Sequence, residues 1–177
     1  MDIVGRAKAI LMTPKAEWPV IDAEPTSVQT IYRDYLVYVA AVPAVAGLIG
    51  GLRGSFGGAL ATAILGYVLG LVGVYVLAVI VDKLAPTFGG TPNFLNAFKL
   101  SAYSATAAWL AGVFVIVPPL AILTILGLYS LYLLYVGLPV MMKSPADKTM
   151  NYTIAVCVVA FVLNLIIGAV VARIALA

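Results

Sequence analysis

The sequence predicts an all-α fold: a polytopic membrane helix bundle with five transmembrane helices, its amino terminus cytoplasmic and its carboxyl terminus outside. Three observations lead there. The run Leu100 to Met142 holds forty-three residues without a charge. At about 1.5 Å per residue, one helix of that length would be roughly twice the ~30 Å hydrocarbon core of a bilayer. It must therefore cross twice and turn back near Pro118-Pro119. The whole chain of 177 residues is 64% hydrophobic and only 10% charged, far from the composition of a soluble domain. Finally, Lys and Arg are distributed with a strong bias between alternate loops, as the positive-inside rule requires.

Residues 1–29 read as a cytoplasmic amino-terminal segment, and 30–177 as the five-helix transmembrane domain. In the first segment Ile3, Val4, Ala7, Ile10 and Leu11 share one helical face, with Arg6 and Lys8 elsewhere. That pattern suits an interfacial helix, with Trp18 and Pro19 at headgroup level, or equally a helix packed over the cytoplasmic ends of the bundle. Arg6 and Lys8 interrupt the apolar stretch, so no cleavable leader is expected and the first crossing directs insertion.

The spans fall at about 30–52, 58–82, 93–117, 119–142 and 150–174. Thr26-Ser27-Val28-Gln29 fits a capping box before the first. Thr91-Pro92 resembles an N-cap followed by proline at the first helical position of the third. Between the second and third spans, residues 84–99 carry two prolines, two glycines and two asparagines, a composition suited to an interfacial or re-entrant turn. Pro145 and Asp147 restart the chain before the fifth.

With the amino terminus inside, the cytoplasmic segments carry Arg6, Lys8, Lys15, Arg33, Lys83, Lys99, Lys143 and Lys148, together with all seven Asp and Glu. The outer segments carry only Arg53 and Arg173. Ten dispersed cations make a topological signal rather than a nucleic-acid surface, so no nucleic-acid partner is expected.

Chemistry is sparse. Histidine is absent, which excludes a Ser-His-Asp triad, and the single Cys157 lies in the last apolar run as a small packing residue. No ionisable residue falls near the middle of a span, where pumps and proton relays place one. No enzyme activity, metal or cofactor is expected. Gly66 and Gly70 form a GxxxG pair suited to helix packing, chiefly within the monomer. Tyr129, Tyr132 and Tyr135 repeat every three residues, followed by Gly137 and Pro139. Their hydroxyls need partners in lipid, and Ser101, Ser104, Thr106, Tyr103 and Asn164 could form a polar seam with them.

The string from Tyr129 to Pro139 resembles the fourth-helix signature of the bacterial branch of the Yip family, five-span relatives of the Ypt/Rab-interacting membrane proteins. Pro14 to Trp18, Glu24 to Ser27 and Met142 to Lys148 resemble the same family's cytoplasmic segments. Eukaryotic relatives are associated with GTPase recruitment, vesicle trafficking and membrane shaping. Their acidic Asp-Leu-Tyr-Gly-Pro type motif is absent, so the resemblance carries no GTPase-binding residue onto this chain.

The resulting expectation is a non-enzymatic, multi-pass protein of a bacterial cytoplasmic (inner) membrane, acting as a membrane-organising scaffold or adaptor. Its partners are membrane lipids and a membrane or cytoplasmic protein, with a homo-oligomer allowed. Glu17, Trp18 and Glu24 are the expected contacts on the cytoplasmic side, and Tyr129, Tyr132, Tyr135, Gly137 and Pro139 those in the fourth span. The alternative is a small permease or channel for a neutral or lipid-like solute.

Overall fold

A computed structural model describes residues 2–52 and 54–175. Arg53, one of the two cations assigned to the outer side, and the final two residues of the 30–177 domain lie outside the described residues. Every regular element among the described residues is helical. Two short helices, α1 (Ile3–Met12) and α2 (Pro14–Ala23), precede five that are long and apolar enough to cross a membrane. These are α3 (Val28–Gly51), α4 (Phe56–Phe88), α5 (Phe94–Ile116), α6 (Pro118–Met141) and α7 (Ala146–Ala175).

Local chemistry sets the boundaries, with two shifts from the sequence reading. Ser27, rather than Thr26, caps α3: its hydroxyl accepts from Thr30 N at 3.1 Å. Asn93, rather than Thr91, caps α5, its side chain accepting from Asn96 N at 3.1 Å. The Thr91 amide is engaged elsewhere, donating to Met142 O at 2.7 Å and tying the α4–α5 turn to the end of α6. That turn is compact. Its first residues continue α4 as a 3₁₀ turn to Phe88, and Gly89 reverses the chain at φ +72°, a conformation glycine adopts without a Cβ clash.

Inside α3 the residues Tyr32–Leu36 form a π-helical turn. Such an inserted residue re-phases the side chains that follow. Tyr32, at its start, reaches α4, donating to Leu71 O at 2.8 Å, while the Tyr35 hydroxyl meets Thr106 Oγ1 on α5 at 2.8 Å.

The bundle has two distinguishable ends. At one, α2, the α4–α5 turn and the α6–α7 turn meet. At the other, α3 approaches α5 so closely that a Cβ on Gly112 would stand 2.7 Å from Pro43 Cβ. The buried core concentrates at the first end, in Ile10, Trp18, Ile21, Ile31, Tyr35, Phe98, Leu100, Tyr103, Leu138 and Tyr152. At the second end, the stretches Gly112–Ile116 of α5 and Pro118–Leu128 of α6 run as 3₁₀ helix with no buried residue.

Candidate functional site

The charged end carries a site that the sequence does not announce. Helices α1 and α2 do not lie apart from the bundle; they form a hairpin docked onto α5 and α6. Its centre is Arg6, whose guanidinium bonds both Glu17 and Glu24 and stands 5.8 Å from the centroid of the Tyr103 ring. The Arg6 and Glu17 side chains are only 12% and 15% exposed, and that of Glu24 is 33% exposed. The Tyr103 ring packs in turn on Tyr35 at 4.9 Å.

A second cation terminates α2. The Lys99 ammonium donates to the carbonyls of Ile21 at 2.8 Å, Asp22 at 3.3 Å and Glu24 at 2.8 Å. Those carbonyls face the negative end of the α2 dipole and lack partners within the helix, so a buried ammonium there satisfies both charge and hydrogen bonding. Asp22 completes the joint. One carboxylate oxygen accepts from Asn96 Nδ2 at 2.8 Å, the other from Lys143 Nζ at 2.6 Å, and the same Asn96 amide also donates to Met141 O. Three separate parts of the chain therefore meet at the end of α2.

Beneath the hairpin lies Trp18, which is completely buried. Gly137 supplies the space for its ring: a Cβ there would stand 2.6 Å from Trp18 Cε2 and 2.6 Å from Leu100 Cδ1. The glycine in the fourth-span motif is thus a socket for an indole 119 positions earlier in the chain.

A crevice of about 710 Å³ opens among α4, α5, α6 and α7. Gly70, Gly73, Ala105, Ala108 and Gly127 keep its walls low, and Ser101, Ser104, Ser130 and Asn164 are its polar lining. No charged residue lines it. Among the described residues, no three of Cys, Asp and Glu come together as a metal would need.

With this geometry in hand, comparison with known proteins is decisive for the family. The Yip1 domain model matches residues 8–167. The chain belongs to the Yip1 family. It is also similar to the inner membrane protein YohC of Escherichia coli K12, 24% identical over 156 residues, with 79% of this chain and 80% of the relative covered. The YohC protein of E. coli strain CFT073 matches to the same extent. No solved structure matches.

Within this Yip1 chain, the residues singled out from sequence fall into three groups. Glu17, Trp18, Glu24 and Gly137 come together, but inward. Trp18 sits under the hairpin, where the Gly137 socket buries the whole indole, and it offers no surface to a partner. Glu17 and Glu24 are held by Arg6.

The expected tyrosine seam is not assembled. Tyr129 donates to Leu11 O at the tip of α1 at 3.0 Å, whereas Tyr132 and Tyr135 are 39% and 41% exposed. Thr106 serves Tyr35 instead, Asn164 donates to Ala160 O, and the Ser101 and Ser104 hydroxyls lack a partner. The reason is geometric: the α6 face bearing Tyr132 and Tyr135 turns outward, which suits the aromatic belt of a membrane protein. Pro139 is half-buried within α6, near the docked hairpin.

Gly66 and Gly70 also depart from expectation. A Cβ on either meets nothing within 4 Å, so neither is a packing contact inside the chain. Gly73, one turn on, is the one that touches α7, through Ile167 Cδ1 at 3.1 Å.

Arg6, Asp22, Asn96 and Lys99 are the residues that sequence reasoning overlooked. One signal was available: Lys99 is one of the two cations, with Lys143, that directly bound the longest charge-free run.

Proposed function

We propose that this chain is a non-enzymatic scaffold of a bacterial inner membrane, organising membrane through protein and lipid contacts, with the docked hairpin on the cytoplasmic side. One observation carries the reading. Arg6, Glu17, Asp22 and Glu24 of the amino-terminal segment, together with Lys99 of α5, hold α1 and α2 against the bundle. They act as structural joints. The outer surface of the hairpin then presents Val4, Lys8, Met12, Lys15 and Val20 to whatever the scaffold meets.

The orientation rests on charge. The end where the hairpin docks also carries Lys83, Lys143 and Lys148, and a cation-rich end is retained in the cytoplasm. The inner-membrane assignment follows the naming of the E. coli relatives.

The test is mass spectrometry of what co-purifies with a tagged copy extracted gently from native membranes. A stoichiometric protein, retained by the wild type and lost from a Lys8→Glu/Lys15→Glu variant, is the expected result. Solute flux through proteoliposomes of the pure chain would instead establish the rival, a small permease for a neutral or lipid-like solute. That rival has the 710 Å³ crevice in its favour.

A further inference from the structure

The crevice has a definite depth. On α4 its lining runs from Leu77 to Gly70, on α5 from Ser101 to Ala108 and Trp109, and on α6 from Leu134 to Gly127. Measured from Leu84, Phe94 and Met141 at the charged end, each stretch begins seven residues in and reaches fourteen or fifteen. At about 1.5 Å per residue that is roughly 10 to 22 Å. A bilayer offers about 5–8 Å of interfacial region and then about 15 Å of hydrocarbon per leaflet. On α4, α5 and α6 the crevice therefore occupies the hydrocarbon of one leaflet, while its α7 wall, Cys157 to Ile167, runs on past the midplane.

Its rim faces the bilayer. Leu128 and Leu131 on α6 and Val158 and Phe161 on α7 all line it and are 43–65% exposed. The interior is apolar with small residues on three helices, and about 710 Å³ lies within the roughly 300–1,000 Å³ of ligand sites. At the shallow end stand Ser101 and Ser104, 1% and 5% exposed, neither hydroxyl bonded to a protein group. A buried hydroxyl without a partner is costly and calls for an acceptor. Ser101 stands just below the interfacial region, and the acceptor that a lipid brings nearest to it is the ester carbonyl of a glycerophospholipid.

We infer that the crevice among α4, α5, α6 and α7 is a binding site for one ester-linked acyl chain of a phospholipid from the leaflet on the hairpin side. The chain lies against Gly70, Ala108 and Gly127, and its carbonyl accepts from Ser101 or Ser104 as the serine χ1 turns between staggered positions. The site stands on the geometry of the crevice and does not require the scaffold reading.

The test uses the full chain in vesicles of phosphatidylethanolamine and phosphatidylglycerol. They are doped with phosphatidylethanolamine carrying a diazirine midway along one ester-linked chain. Photolabelling is expected on the peptides holding residues 127–134 and 157–167. Gly70 lines the crevice and a Cβ on it meets nothing within 4 Å, so Gly70→Leu has room to extend into it. It should reduce that labelling by on the order of tenfold while the protein stays monodisperse.

Labelling spread evenly over the exposed faces of all five helices, and indifferent to Gly70→Leu, overturns the site. An ether-linked probe should label several-fold less than the ester in the wild type and equally in Ser101→Ala/Ser104→Ala. Equal labelling by the two probes in the wild type overturns the carbonyl assignment.

Discussion

The two ends of this bundle are built by different physics. At the charged end, aromatic rings interlock, two cations are enclosed by carboxylates and carbonyls, and α1 and α2 close over Trp18. At the opposite end, Gly112 to Leu128 buries no residue, and all its valines and most of its leucines and isoleucines are exposed. Lipid explains the contrast. An apolar side chain gains little by leaving hydrocarbon for a protein interior, so the far end has no drive to assemble a core. The near end lies by the interface, where burying an indole or pairing a guanidinium does lower the free energy.

That contrast ranks the effects of substitution. Trp18→Ala should do most. Removing a fully buried indole costs about 3–5 kcal/mol, and here it also releases the hairpin. The midpoint of thermal unfolding in detergent should fall and trypsin should cleave faster after Lys8 and Lys15; unchanged cleavage would mean the hairpin is not anchored there.

Gly137→Leu comes next. It drives a side chain into Trp18 and Leu100, at a typical cost for overpacking of about 1–3 kcal/mol. Because it acts on the same contact, combining it with Trp18→Ala should cost less than the sum of the two, a non-additivity that a double-mutant cycle measures directly.

Arg6→Met should be close behind, at about 2 kcal/mol. It leaves Glu17 and Glu24 facing each other without their cation, but solvent reaching Glu24 softens the loss from the 3–5 kcal/mol of a fully buried pair. Adding Glu17→Gln and Glu24→Gln should restore part of the stability. If it does not, the cluster is held by packing rather than by charge.

Ile122→Ala marks the other extreme. The side chain is 72% exposed on the far half of α6, and its loss should shift stability by no more than about 0.5 kcal/mol. A large shift would show that the far end packs against a second molecule, which is also what a collapse on Gly66→Leu would reveal, since a Cβ on that glycine meets nothing within 4 Å in the chain.

How much of this could be read in advance differs between fold and site. The five crossings follow from charge-free runs, because a bilayer tolerates neither unpaired backbone nor stray charge over ~30 Å. The site was legible only in its parts. Tyr129, Gly137, Trp18 and Glu24 drew attention as residue types in a family-like pattern, yet the partner of each lies far along the chain. Lys99 bonds a carbonyl 78 positions away, and Tyr129 one 118 positions away. Periodicity reports the face of a helix, not the neighbour that will occupy it. The tyrosine triplet misled for the same reason: a three-residue repeat marks one stripe, and nothing local says whether the stripe turns toward α5 or toward lipid.

By itself, then, the sequence determined that this chain is an all-helical bundle with five helices able to cross a membrane, since hydropathy and length are properties of each segment alone. Tertiary structure alone decided the use of the charges and small residues. Arg6 could have been a topological signal, Gly137 a helix kink and Gly70 a packing contact. They became a salt-bridge centre, an indole socket and the floor of a crevice when distant helices converged on them. Those outcomes depend on distances between segments, and such distances exist only once the chain has packed.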